Sequence, residues 1–218
     1  MSSITLGRPL GFEFRVDPNA LVVLGLYALM GARAGAGGVL TGVLLAAVVF
    51  GSILVHELGH AITARAFGLG PVSITLHGFG GLTQYRRGAS GLQGILVTAA
   101  GPLAGFALGT VSLVLGLVAL GVLGPGLVTT VFDQLVWVNF FWSAFNLLPM
   151  YPMDGGVITL HALSFRLPSG VALVWTARLG IAVAVLVALA AFSSGFPFVG
   201  IVAGMSGFQC WPYATRRV

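Results

Sequence analysis

Long apolar runs separated by short polar breaks dominate this chain. A helix needs about 20 mainly apolar residues to cross a bilayer. Six stretches meet or approach that length: residues 19–33, 38–67, 91–122, 126–148, 171–192 and 196–213. The first is short, and the last carries Pro197, Pro212 and several glycines. Two breaks have a pattern of their own. In PVSITLHGFGGLTQYR, residues 71–86, Val72, Ile74 and Leu76 alternate with Ser73, Thr75 and His77, the period of a strand. Gly78, Gly80 and Gly81 then permit a tight reversal, so the stretch predicts a β-hairpin or sheet edge near the cytoplasmic face. In PMYPMDGG, residues 149–156, two prolines and two glycines break the fourth apolar helix. Such backbone is tolerated at membrane depth where it is buried in protein or lines a wet cavity.

The predicted fold is therefore an all-α polytopic membrane protein. It has about six transmembrane helices and a short membrane-associated β-hairpin between the second and third. We expect one integral membrane domain over residues 1–218, with a core at about 38–167 and peripheral spans at 19–34, 171–192 and 196–213. Composition agrees. Only 7% of residues are charged and 57% are hydrophobic, whereas soluble domains carry about 25% charged residues. Mean hydropathy is +1.03. The net charge of +5 does not point to nucleic acid, because the arginines do not gather into a groove-reading patch. They fall between the apolar runs. With the N-terminus in the cytoplasm and six spans, Arg8, Arg15, Arg65, Arg86, Arg87, Arg166, Arg178, Arg216 and Arg217 lie on or near the cytoplasmic side. Arg33 alone lies opposite. This is the bias of the positive-inside rule, and it puts both termini in the cytoplasm of a multi-pass cell-membrane protein. Cys210 is the lone cysteine and excludes an intrachain disulfide. Residues 1–17 hold Arg8, Glu13, Arg15 and Asp17 and do not read as a cleaved signal.

The second apolar run contains HELGH, His56 to His60. Residues four apart on a helix share a face, so both imidazoles can reach one ion. Glu57 sits beside the first ligand, placed to take a proton from water at the metal, the logic of H-E-x-x-H in zinc proteases. The chain has two glutamates and four histidines, and one glutamate lies between two histidines in an apolar helix. Ionisable groups inside a membrane are costly and mark function. A catalytic zinc site takes three protein ligands and one open position. Asp154, just after the broken fourth helix, is the best third ligand, with Gly155 and Gly156 allowing backbone to approach the ion. Its other reading is a helix cap. Gly101, Gly105 and Gly109 recur every four residues and predict close helix packing. Pro102 is expected to kink or begin the third helix. A metal-handling membrane protein would also put histidines and an aspartate in its spans, but it would not need Glu57 beside a ligand.

HELGH in one span, with NLLPMYPMDGG (Asn146 to Gly156) ending a later one and AAGPLAG (Ala99 to Gly105) between them, resembles the site-2 protease family of intramembrane metalloproteases. The resemblance covers roughly residues 50–160 and is closest to small prokaryotic six-span members. It implies one zinc ion bound by His56, His60 and Asp154, with catalysis by Glu57 and Asn146 near the scissile bond. It implies hydrolysis of peptide bonds in or near the transmembrane segments of other membrane proteins, in regulated proteolysis or signal-peptide clearance. Two expected departures bear on regulation: we expect neither an inserted PDZ domain nor a nucleotide-binding domain after the sixth span. A helical substrate must unwind before cleavage. An extended substrate could add to the strand at 71–86 by main-chain hydrogen bonds. Ile74, Leu76, Gly80, Gly81 and Pro152 are the expected substrate contacts. Partners are thus a transmembrane protein or peptide and the bilayer, with no nucleic acid.

Overall fold

The computed structural model describes residues 3–33, 38–78 and 80–216. Phe79 of the expected hairpin, residue 34 of the first peripheral span and Arg217 lie outside them. The chain divides into two compact units. One comprises Met1–Gly88 and Ala100–Ser143, and the other Ala89–Ala99 and Ala144–Val218.

The first unit opens with strands β1 (Ile4–Gly7) and β2 (Glu13–Val16), then helices α1 (Pro18–Arg33) and α2 (Gly38–Ala66). The hairpin follows as β3 (Val72–His77) and β4 (Gly80–Tyr85). The sheet is larger than the two-stranded hairpin expected. It runs β1-β2-β3-β4, with β2 parallel to β3 and the other pairs antiparallel. The sequence reading missed β1 and β2 because each is only four residues long, too short for a period to stand out. Phe14 and Val16 of β2 and Val72, Ile74 and Leu76 of β3 are all buried, the signature of one face turned to a core. Both β3 and β4 pack on α2.

Arg65, in the last turn of α2, ties the helix end to the first hairpin. Its guanidinium lies 4.3 Å from the centre of the Phe12 ring and donates a 2.6 Å hydrogen bond to the Leu10 carbonyl. Glu13 is flanked by Arg15 and Arg8, whose hydrogen bonds and charge hold its carboxyl below the usual carboxylate range.

Helix α2 is apolar around its whole circumference, yet only one stripe is buried. Gly42, Ala46, Val49, Ile53, His56, Glu57, His60 and Ala64 recur at three- and four-residue intervals along it. Helix α3 (Gly91–Leu123) begins in the second unit and continues into the first. Pro102 lies inside it and neither begins nor ends it. Helix α4 (Leu127–Asn146) packs on α3 through the expected glycines. A Cβ on Gly105 would overlap Ser143, one on Gly109 would meet the Phe140 ring, and one on Gly116 would meet Phe132. Asn139 of α4 donates a 2.9 Å hydrogen bond to the Ser52 hydroxyl of α2, both buried.

The second unit holds α5 (Asp154–Leu163), α6 (Ser169–Ser193) and α7 (Pro197–Ala214), with the first turns of α3. Gly180 of α6 lies against Cys210 of α7, and Gly207 of α7 against Ala184 of α6. The Cys210 thiol donates to the Tyr151 carbonyl at 3.1 Å, pinning the loop before α5. His161 of α5 fits over Gly94, and burial pushes its pKa down. Asp154 is the first residue of α5 rather than its cap, a position held by Met153. Gly155 and Gly156 allow a close approach within the chain itself. A Cβ on either would run into the main chain of the preceding loop, Leu147 and Leu148 for one and Met150 and Tyr151 for the other.

The expected apolar segments correspond to α1, α2, α3, α4, α6 and α7, and α5 is an additional short helix. Among the described residues three helices are long and apolar enough to cross a membrane: α2, α3 and α6.

Gly59 tests the α2–α3 contact. Its Cβ would collide with the Ala100 carbonyl, whereas nothing lies within 4 Å of a Cβ on Gly121. Gly59→Ala should therefore destabilise by about 1–3 kcal/mol, as overpacking does. Gly121→Ala should be neutral or stabilising by up to about 1 kcal/mol from helix propensity. Thermal unfolding in detergent distinguishes the two.

Candidate metal centre

The buried stripe of α2 carries the chemistry. His56, Glu57 and His60 are 5%, 5% and 8% exposed. One ligand atom from each lies within 4.8 Å of the others. The two imidazole Nε2 atoms are 3.2 Å apart. Two nitrogens bound tetrahedrally to one zinc, each at about 2.0–2.1 Å, stand about 3.3 Å apart. The spacing of the pair therefore suits a shared ion.

Neighbouring elements leave room for this trio by lacking side chains. A Cβ on Gly101 of α3 would overlap the His60 imidazole. A Cβ on Gly81 of β4 would overlap the Glu57 carboxylate arm. Gly59, between the ligands in sequence, brings α2 against the Ala100 carbonyl. From β4, the Thr83 hydroxyl lies 2.7 Å from Glu57 Oε2 and 3.1 Å from the Glu57 main-chain oxygen.

The structure thus assembles His56, Glu57 and His60 in the first unit. Asn146, the last residue of α4, Pro152 in the following loop and Asp154 at the start of α5 belong to the second. Asn146 and Asp154 are half-buried and Pro152 is exposed. The expected substrate contacts on the sheet need correction. Ile74 and Leu76 are buried in β3, which is paired on both sides, so the edge position passes to β4. Gly80 opens β4 with φ +145°, a conformation that favours glycine, and Gly81 faces Glu57. Sequence reasoning missed Thr83. Period-two spacing puts it on the face of Gly81, but nothing local says that this face meets α2.

A buried H-E-x-x-H set on an apolar helix is the donor arrangement of a zinc metallopeptidase. The model of peptidase family M50 matches residues 44–126. Two relatives are each named "Putative zinc metalloprotease". Rip3 of Mycobacterium tuberculosis is 36% identical over 214 residues, covering 93% of this chain and 54% of the relative. The protein sll0528 of Synechocystis is 33% identical over 168 residues, covering 71% of this chain and 42% of the relative. The chain spans about half the length of these curated relatives. The fold is similar to that of the site-2 protease from Methanocaldococcus jannaschii, with a TM-score of 0.70 and 24% identity. That match covers 100% of this chain and 97% of the other. Over residues 44–126 the chain is thus similar to peptidase family M50.

Two substitutions separate the roles of the flanking glycines. Gly101→Ala should displace the His60 ring and lower zinc affinity about 10-fold or more, read from zinc bound per chain after dialysis. Gly81→Ala should displace Glu57 and lower cleavage while zinc content stays at the wild-type value.

Proposed function

We propose that this chain is an intramembrane zinc metalloprotease that hydrolyses peptide bonds in or near the transmembrane segments of other membrane proteins. The observation that carries the reading is the buried His56–Glu57–His60 set, with its imidazole nitrogens 3.2 Å apart on an apolar helix. His56 and His60 would hold one zinc ion, with Asp154 as the expected third ligand. When bound, zinc supplies Lewis-acid polarisation and a water acidic enough to lose its proton near neutral pH. Glu57 takes that proton on its carboxylate and returns it to the leaving amine. Asn146 donates a hydrogen bond to the oxyanion or the substrate backbone. Pro152 and its loop meet the unwound substrate.

The six apolar helices span the cell membrane with both termini in the cytoplasm, following the arginine bias. The two units act as one protease domain. The substrate enters extended and adds to the open edge of β4, alongside the strand that carries Gly81 and Thr83. That placement would bring its main chain over the helix turn holding Glu57. Regulated proteolysis and signal-peptide clearance both fit this chemistry.

Co-expression with a panel of single-span membrane proteins tests the activity. Wild type should yield a fragment that is absent with Glu57→Gln and after chelation of the metal. Glu57→Gln should keep its zinc, whereas Asp154→Ala should lose about 10-fold or more in zinc affinity. A fragment produced equally by Glu57→Gln would sink the assignment.

Strand addition has its own test. In the Glu57→Gln background, Leu82→Cys on β4 should cross-link to a cysteine near the substrate's cleavage point. Leu6→Cys on β1, at the other edge of the sheet, should not. Equal cross-linking at both edges counts against the model.

A further inference from the structure

We propose that Thr83 is a positioning residue that couples the open strand β4 to the carboxylate of Glu57. The inference rests on reading Glu57 as the base. Its foundation is the 2.7 Å separation of the Thr83 hydroxyl from Glu57 Oε2. The same hydroxyl lies 3.1 Å from the Glu57 main-chain oxygen. A hydroxyl has one hydrogen to donate. The main-chain oxygen sits within α2, where the helical ladder already gives it a donor. The carboxylate oxygen is the nearer of the two acceptors. The hydrogen therefore goes to Oε2.

Thr83 suits this task better than a longer polar residue would. It is β-branched, so few χ1 rotamers are open to it. Its register partner on β3 is Ile74, which is 0% exposed. The Thr83 backbone is thus pinned by the most deeply buried residue of the sheet, while the other edge of β4 has no strand partner among the described residues. Two positions upstream, Gly81 lies against the other carboxylate oxygen, Oε1. One face of β4 thus meets the Glu57 side chain at two points: Thr83 fixes Oε2, and Gly81 makes room for the carboxylate arm. A substrate lying along the outer edge of β4 would be registered against the base by the same strand that orients it.

The test compares wild type, Thr83→Val, Thr83→Ser and Glu57→Gln, purified in detergent. The probe is whichever single-span panel protein yields a fragment in co-expression. Thr83→Val keeps the branched shape and removes the donor. Its kcat should fall on the order of 10- to 100-fold, with KM within about 2-fold and zinc per chain unchanged. Thr83→Ser restores the hydroxyl and should recover most of the lost kcat. Should Thr83→Val fail to accumulate, Thr83→Ala against Thr83→Ser makes the same comparison.

An unchanged kcat in Thr83→Val overturns the proposal. So does a loss carried by KM or by zinc content, or an equal loss in the serine variant, since each marks a merely structural contact. Activity lost in Glu57→Gln but intact in Thr83→Val overturns the positioning role alone. Activity retained in Glu57→Gln, or no cleavage of any panel member by wild type, overturns the reading of the base and this inference with it.

Discussion

The structure depends on burying two imidazoles and a carboxylate on one face of an apolar helix. Taking such groups out of water costs several kcal/mol each unless partners replace the solvent. Here the partners come from packing so close that the neighbours can have no side chains. Gly101 admits the His60 ring, Gly81 admits the Glu57 arm, and Gly59 lets α2 touch the Ala100 carbonyl. The same absence of Cβ atoms continues away from the site. Gly105, Gly109 and Gly116 seat Ser143, Phe140 and Phe132 of α4. Lipid tails are as apolar as leucine, so hydrophobicity does little to join helices in a bilayer and close contact must do it instead. One device, the missing side chain, therefore both holds the helices together and shapes the metal centre.

The sheet extends this arrangement. Arg65 links the end of α2 to Phe12 and Leu10 before β2, and β2 pairs in parallel with β3. The strand bearing Thr83 is thereby anchored through β3 and β2 to the helix bearing Glu57. The arginine pattern gave Arg65 only an expected place on the cytoplasmic side, and the fold gives it a specific contact. The carboxylate consequently has a polar partner from outside its own helix. Such a partner fixes a rotamer more firmly than solvent does.

In the second unit, the PMYPMDGG stretch makes a compact turn whose shape comes from its own backbone. Gly155 and Gly156 take up the main chain of residues 147–151 where any Cβ would clash. The Cys210 thiol holds the Tyr151 carbonyl from α7. Asp154 consequently begins α5 on a turn braced from two directions, and a short helix follows where the chain could otherwise have continued as loop.

Much of this was legible in the amino-acid sequence. Apolar length placed six of the helices to within about two residues, and three of them, α2, α3 and α6, are long and apolar enough to cross a membrane. The four-residue spacing of His56 and His60 put them on one face, because helix geometry leaves no choice. Alternation in residues 72–77 announced a strand for the same kind of reason. The short strands β1 and β2 and the ten-residue helix α5 were hidden, since four to ten residues with mixed polarity carry too weak a period. Which face of α2 is buried, why Gly155 and Gly156 follow Asp154, and that Thr83 meets Glu57 were decided by tertiary structure alone. These are contacts between segments distant in the chain, and local periodicity records which way a side chain points along its own element without recording what stands opposite.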